Sequence, residues 1–187
     1  MEEDIKNAIE IMKKGGVILY PTDTIWGIGC DATNEKAVNR IYEIKQRAEN
    51  KAMLVLIDDI NKIERYVEDV PDMAYSINEL SEKPVTIIYE HAKFLAKNLL
   101  GDDDSVGIRV SRDEFSKKLC AKFGRPIVST SANISGAPSA PAFKDIADDI
   151  KNAVDYIVKY RQDDNTEHTA SSIIKLSKGN VIKIIRN

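Results

Sequence analysis

The sequence is poor in the features that mark several classes of protein. It has two cysteines, Cys30 and Cys120, among 187 residues and no CxxC pair, which indicates reduced, mostly buried thiols rather than disulfides or a zinc site. The apolar runs are far shorter than a membrane span, and the N-terminus is acidic. We therefore expect no membrane segment, no secretory signal and a cytoplasmic location. The formal net charge of −3 gives no global basic field that would attract nucleic acid.

The common signatures of phosphate binding and hydrolysis are missing as well. The sequence contains neither GxGxxG nor GxxxxGK[ST], the glycine-rich loops that cradle phosphates in many nucleotide-binding proteins. No Ser-His-Asp arrangement can be assembled from it, and His91 and His168 are interpreted as surface residues. Any phosphate site must therefore be a local cluster of cations and hydroxyl groups.

What is present is an alternation of amphipathic helices and short apolar strands. Ile5, Ala8 and Met12 recur at helical spacing, and Pro21 ends an apolar strand over residues 17–20. Further strands are predicted over residues 53–57, 85–89, 106–110, 127–128, 154–158, 171–176 and 181–185. Further helices are predicted over residues 37–44, 92–100, 112–123 and 142–150. The alternation predicts an α/β fold, a single domain over residues 1–187 in which helices cover a partly antiparallel sheet.

Polar residues and glycines follow the first apolar strand. Thr22, Asp23 and Thr24 stand at its end, and Gly27 and Gly29 come shortly after. Ligands of α/β sheets gather outside the carboxyl ends of strands, where glycines let the backbone approach a small molecule. The same residues would also make a plain turn, and the sequence does not separate the two interpretations.

Several cations stand at informative positions. Lys45, Arg47 and Lys51 lie between a helix and a strand and could converge on a triphosphate, although such charges usually face water. Arg109 lies inside an apolar strand, so it is either at a sheet edge or paired with an anion.

The segment over residues 129–136 is the most informative. Four hydroxyl residues and Asn133 directly follow an apolar strand. Burying these groups without partners would be costly, and a run of polar groups that only faces water is unusual directly after a core strand. We therefore favour a segment that donates hydrogen bonds to a ligand over a simple capped loop.

Together these segments resemble the YrdC-like family of threonylcarbamoyl-adenylate synthases, from about residue 5 to the end of the chain. The resemblance rests on these groups in order: Pro21-Thr22-Asp23-Thr24 with Gly27, Lys45-x-Arg47 with Lys51, Arg109, Ser131-Ala132-Asn133 with Ser135-Gly136, Ser171-Ser172-Ile173, and Arg186. The family implies a twisted mixed sheet flanked by helices, with a concave, basic cavity.

The resemblance also implies a nucleotidyltransferase. Threonine, bicarbonate and ATP accompanied by Mg²⁺ would give threonylcarbamoyl-adenylate and pyrophosphate, and a tRNA-modifying transferase complex would pass the threonylcarbamoyl group to a tRNA adenosine. By this resemblance, ATP would be bound by Arg47, Lys51, Ser105, Ser131, Asn133, Ser139 and Arg186, with Lys45 and Arg47 as the catalytic cations. Threonine would be bound by Thr24, Arg109, Ser129 and Ser171, with Arg109 on its carboxylate. No protein ligands to a metal are implied.

Some positions depart from the family pattern. Trp26 stands where Tyr is common, Ala52 where Pro is common and Leu56 where some members carry a polar residue, while residues 160–164 replace a glycine-containing stretch. The additional C-terminal domain of longer relatives is not expected.

Two other interpretations stay open. One is an RNA-binding module, in which a basic cavity would hold RNA without chemistry. The other is a YrdC-like paralogue that acts on a different carbamoyl or acyl substrate.

Overall fold

The fold was analysed in a computed structural model that describes residues 1–46, 53–164, 166, 168 and 170–186. The helices in this part of the chain are α1 (Glu2–Lys13), α2 (Glu35–Lys45), α3 (Met73–Leu80), α4 (Glu114–Phe123) and α5 (Asp148–Ala153). The strands are β1 (Ile18–Tyr20), β2 (Gly27–Gly29), β3 (Leu54–Ile57), β4 (Val85–Tyr89), β5 (Val106–Val110), β6 (Ile127–Ser131), β7 (Tyr156–Ile157), β8 (Ser172–Ser177) and β9 (Val181–Arg186). Short 3₁₀ helices lie at Ile60–Arg65, Lys97–Leu99 and Phe143–Asp145.

Within the described residues the strands form one mixed sheet in the order β7-β1-β2-β6-β3-β5-β4-β8-β9. The pairs β1–β7, β3–β5 and β4–β8 are parallel, and the other pairs are antiparallel. The predicted α/β class, a twisted mixed sheet flanked by helices, is confirmed. None of the described helices combines the length and the apolar character that crossing a bilayer requires.

The helices form where capping residues and apolar periodicity agree. Helix α4 begins after Asp113, whose carboxylate accepts the backbone N–H of Ser116, and ends at Gly124, which adopts φ 75°. Helix α1 buries Ile5, Ala8 and Met12 on one stripe. Both helices pack where the sequence pattern predicted them.

Two predicted helices are wrong in extent. The segment over 92–100 is helical only as a 3₁₀ turn at Lys97–Leu99, because Phe94 adopts φ 56° and Ala92 pairs with Val67 in an isolated bridge. Residues 142–150 divide into a 3₁₀ turn and α5, separated by extended backbone at Ile146 and Ala147.

Strand β2 was not predicted, because glycines are poor strand formers. Its surroundings explain the glycines. A Cβ on Gly29 would lie 2.5 Å from the carbonyl oxygen of Val128 and 2.6 Å from the Tyr20 ring. The absent side chain therefore lets β2 pack tightly beside β1 and β6, the two strands that carry the polar segments described above.

The two cysteines are free and buried, in agreement with the sequence interpretation. Burial raises the pKa of both the Cys30 and the Cys120 thiol, which keeps them protonated and unreactive. They belong to the core.

Candidate active site

A cavity of about 300 Å³ lies against one face of the sheet, a size that suits a small-molecule site. Much of its lining follows the two-residue period of β-strands: Thr86 and Ile88 on β4, Ser105, Gly107 and Arg109 along β5, Ser129 and Ser131 on β6, and Ser171 and Ile173 at β8. The register agrees, because Leu54 lies opposite both Gly107 and Ser129. Adjacent strands therefore present the same face to one space.

Glycines keep parts of this cavity open. A Cβ on Gly107 would lie 3.3 Å from both Leu54 Cβ and Thr86 Cγ2, and a Cβ on Gly27 would lie 3.3 Å from Ser129 Oγ. Side chains at these positions would press on lining residues. The glycines are thus part of the shape of the cavity.

Arg109 is the most deeply placed cation of the cavity, with 3% of its surface exposed. Its Nη2 lies 3.1 Å from Asp23 Oδ1 as an ion pair. That contact is poorly directed, because among the described residues neither Asp23 Oδ1 nor Arg109 Nε has a hydrogen-bond partner. The unused Nε–H of this buried guanidinium can donate to one further acceptor. Of the two sequence alternatives for Arg109, pairing with an anion is confirmed.

A network of hydrogen bonds shapes the turn over residues 22–24, called the 22–24 turn below. The Thr22 hydroxyl donates to the Ile25 carbonyl at 2.8 Å and accepts the Thr24 backbone N–H at 3.1 Å. It also lies 3.1 Å from the Thr24 hydroxyl and 3.5 Å from Arg109 Nη2. Thr22 therefore positions both Thr24 and Arg109, which line the cavity.

Another cation, Arg186, lines the cavity from β9. Its Nε and Nη2 donate to the Ser171 carbonyl at 3.0 and 2.7 Å, and the Ser171 hydroxyl lies 2.8 Å from that of Thr86. Partial burial, and then the positive charge of Arg109, lower the pKa of Arg186. An anion bound between the two arginines would relieve this unfavourable charge environment.

Lys45 organises the segment after β6 instead of lining the cavity. Its buried ammonium donates to the carbonyls of Ser131 and Asn133, the latter at 2.7 Å, and its own carbonyl accepts the Ser135 N–H at 2.8 Å. Asn133 Nδ2 donates to Ile134 and Ala137 carbonyls, whereas its buried Oδ1 has no partner among the described residues. The end of α2 is thus bound to the polar segment that the sequence singled out.

The structure brings most predicted site residues together. Those that line the cavity are Thr24, Ser105, Arg109, Ser129, Ser131, Ser139, Ser171 and Arg186. Lys45 and Asn133 lie one contact away, through Ser131 and its neighbours. Arg47 and Lys51 fall outside the described residues. The roles assigned to all of these residues stay predictions.

Other lining residues were missed, or noticed for a different reason. Thr86 was missed, although a single threonine in an otherwise apolar strand was an available signal. Trp26, noted as a departure, lines the cavity and packs against Phe143 in a tilted arrangement, with 4.8 Å between ring centroids. Leu56, noted as a departure, is buried in the core and does not line the cavity.

Comparison with known proteins decides the family. A family model for Sua5, YciO and YrdC, described as "Telomere recombination", matches residues 10–187. The chain belongs to this Sua5/YciO/YrdC family. It is 34% identical over 169 residues to the threonylcarbamoyl-AMP synthase of Pseudoalteromonas translucida (strain TAC 125), covering 89% of this chain and 90% of that protein.

Solved structures of the family agree with the fold. A variant of P. abyssi Sua5 superimposes with a TM-score of 0.88 at 27% identity, covering 100% of this chain and 56% of that one. P. abyssi Sua5 complexed with L-threonine gives a TM-score of 0.83 at 27% identity, covering 94% of this chain and 52% of that one. The chain thus spans about half the length of this Sua5 protein.

Proposed function

We propose that this chain is a threonylcarbamoyl-AMP synthase, a transferase that makes threonylcarbamoyl-adenylate from threonine, bicarbonate and ATP. The observation that carries the proposal is the meeting of Thr24, Arg109 and Ser129 with Ser131 and Arg186 in one cavity. Family membership and the curated relatives support it, as does the Sua5 complex with L-threonine.

The proposed chemistry has two steps. The threonine amine attacks the bicarbonate carbon, water leaves, and a carbamate forms. A carbamate oxygen then attacks the α-phosphorus of ATP, and pyrophosphate leaves with the electrons of the broken P–O bond. Such transfers need positioning and charge neutralisation more than a covalent protein nucleophile.

By the family resemblance, the residues divide between the two substrates. Arg109, held beside Thr24 and Ser129, would bind the threonine carboxylate through its planar fork of donors. Arg186, with Ser105, Ser131 and Ser139, would face the nucleotide. Asn133 and the segment held by Lys45 would bound the nucleotide side of the cavity. Arg47 and Lys51 would place positive charge beside the triphosphate.

The remaining parts of the proposal concern the setting of the reaction. Mg²⁺ would enter with ATP as part of the substrate, bound through phosphate oxygens and water. The adenylate would pass, in the cytoplasm, to a tRNA-modifying transferase complex. We also propose that residues 1–187 act as one catalytic domain.

The proposal is tested by pyrophosphate release from ATP, with threonine and bicarbonate added singly and together. We expect release that requires both and that fails with serine or valine at equal concentration. The variant Arg40→Ala, which alters an arginine paired with Asp155 outside the cavity, should keep this activity. Release that needs neither threonine nor bicarbonate would refute the proposed reaction.

A further inference from the structure

The loop after β7 carries an arginine in an unusual backbone conformation. Arg161 adopts φ 65°, the left-handed region in which glycine is the unstrained residue. It belongs to residues 160–164, the stretch that departs from the glycine-containing family pattern. A long charged side chain at such a position calls for an explanation in its contacts.

The guanidinium of Arg161 joins three separate segments. Its Nε and Nη2 each lie 3.1 Å from Asp164 Oδ2, within its own loop. Its Nη1 donates to Asp113 Oδ1 at 2.9 Å and to the Thr22 carbonyl at 3.3 Å. Asp113 is the residue that caps α4, through its other oxygen. The loop, the start of α4 and the 22–24 turn are therefore fastened by one side chain.

A further contact completes this arrangement. Arg161 Nη2 lies 3.0 Å from His168 Nε2, and because a guanidinium carries donors and no acceptor, Nε2 accepts this hydrogen bond. His168 and Arg161 both line a small groove beside Thr24 and Trp26. All the nitrogens of the Arg161 side chain are thus engaged at the edge of the cavity.

From Thr22 the contacts continue into the cavity. The Thr22 carbonyl accepts from Arg161, while its hydroxyl fixes the backbone and the hydroxyl of Thr24 and lies near Arg109. Thr22 is 2% exposed, so its orientation is set by these partners and not by water. A shift of the 22–24 turn would displace Thr24 and change the surroundings of Arg109.

We propose that Arg161 is a positioning residue for the amino-acid end of the cavity. It would hold the 22–24 turn against α4 and so keep Thr24 and Arg109 in the geometry that binds the amino-acid substrate. This inference rests on the proposed function for the identity of that substrate. Arg186 and Ser131 make no described contact with Arg161, so the nucleotide end should depend on it far less.

The variants Arg161→Gly and Arg161→Lys test this role together. Glycine accepts the left-handed backbone and removes the contacts of Arg161 with Asp113 and the Thr22 carbonyl. Lysine keeps the positive charge but lacks the planar guanidinium with its several donors. Arg40→Ala is the matched control, because Arg40 also joins a carboxylate, that of Asp155, to a backbone carbonyl, that of Ala153 at 3.1 Å.

The readouts are the KM values for threonine and ATP in pyrophosphate release, and hydrogen exchange at residues 22–26. For Arg161→Gly we expect the threonine KM to rise roughly tenfold, the scale of a lost hydrogen bond to a charged group, with the ATP KM changed less than about twofold. The threonine KM of Arg161→Lys should lie between those of the wild type and Arg161→Gly. Amide exchange at residues 22–26 should accelerate in Arg161→Gly and stay unchanged in Arg40→Ala.

The outcomes separate this inference from the proposed function. An active wild-type enzyme with unchanged threonine KM and unchanged exchange in Arg161→Gly would overturn the positioning role. Equal rises in both KM values would also overturn it, because they would indicate a general structural defect. A wild-type protein without threonine-dependent pyrophosphate release would refute the proposed function. The exchange measurement would still test whether Arg161 holds the 22–24 turn in place.

Discussion

The two arginines that line the cavity are held in opposite ways. Arg109 lies within a central strand, pairs with the buried carboxylate of Asp23 and keeps an unused Nε. Arg186 lies on the last strand of the described sheet, is exposed, and is oriented by the Ser171 carbonyl, a neutral group. The comparison indicates that buried contacts fix the orientation of the Arg109 side chain, whereas Arg186 mainly supplies positive charge.

The largest expected difference between the two arginines is in stability. Arg109→Ala would leave Asp23 buried without its counter-ion, so we expect the free energy of unfolding to fall by about 3 kcal/mol. Arg186→Ala should change it by less than about 0.5 kcal/mol, as is usual at exposed sites. Urea unfolding followed by circular dichroism measures both values, and equal losses would contradict the comparison.

The next effect concerns the amino-acid substrate. Arg109→Lys keeps the positive charge beside Asp23 but cannot present a planar fork to a carboxylate, so we expect kcat/KM for threonine to fall about 30-fold. Arg125→Lys serves as the control, because its ion pair with Asp31 lies away from the cavity. A threonine dependence in Arg109→Lys that matches the wild type would remove Arg109 from the substrate site.

A smaller effect is expected at the nucleotide end. Arg186→Ala should raise the KM for ATP about tenfold through the loss of a charged hydrogen-bond donor, while the threonine KM stays within about twofold. Because Arg186 is exposed, the effect should shrink as salt is added. An effect confined to threonine would reverse the proposed assignment of the two ends.

The smallest predicted effect is a pH dependence on the β8 side of the cavity. The hydrogen bond from Lys175 (Nζ to Oδ2, 2.6 Å), followed by that from Ser105, lowers the pKa of Asp103 to about 2. A lowered pKa means that the ionised form stabilises the fold above the ordinary value near 3.8. This contribution is lost as the pH falls from there through about 2.

The matching variant is Asp103→Asn, which removes the titrating group. Because the side chain is 55% exposed, solvent screens the ion pair, and we expect a contribution below about 1 kcal/mol. Thermal unfolding at a series of pH values should show a steeper acid loss for the wild type than for Asp103→Asn. Identical acid slopes would exclude Asp103 as a source of this dependence.

Local pattern and long-range contact explain what the sequence could and could not predict. The strands of the central sheet were readable because short apolar runs are bounded by turn residues. Strand β2 was not, because its glycines are explained by the close approach of Val128 and Tyr20, which the sequence does not reveal. The prediction of a helix over residues 92–100 was wrong because the pairing of Ala92 with Val67 outweighs the helical pattern of the sequence.

The same distinction applies to the site. Ser129 and Ser131 could be predicted because polar residues after a core strand need partners. The contacts of Arg161 could not be predicted, because Thr22 and Asp113 lie 139 and 48 residues away along the chain. Its one local signal, an arginine in a stretch where the family carries glycine, indicated a departure without indicating a role.

The proposed reaction is tested most directly by mass spectrometry of the product formed from ATP, threonine and carbon-labelled bicarbonate. We expect a threonylcarbamoyl-adenylate that carries the label in its carbamoyl carbon and forms together with pyrophosphate. An adenylate of unmodified threonine, or pyrophosphate release without any labelled product, would contradict it.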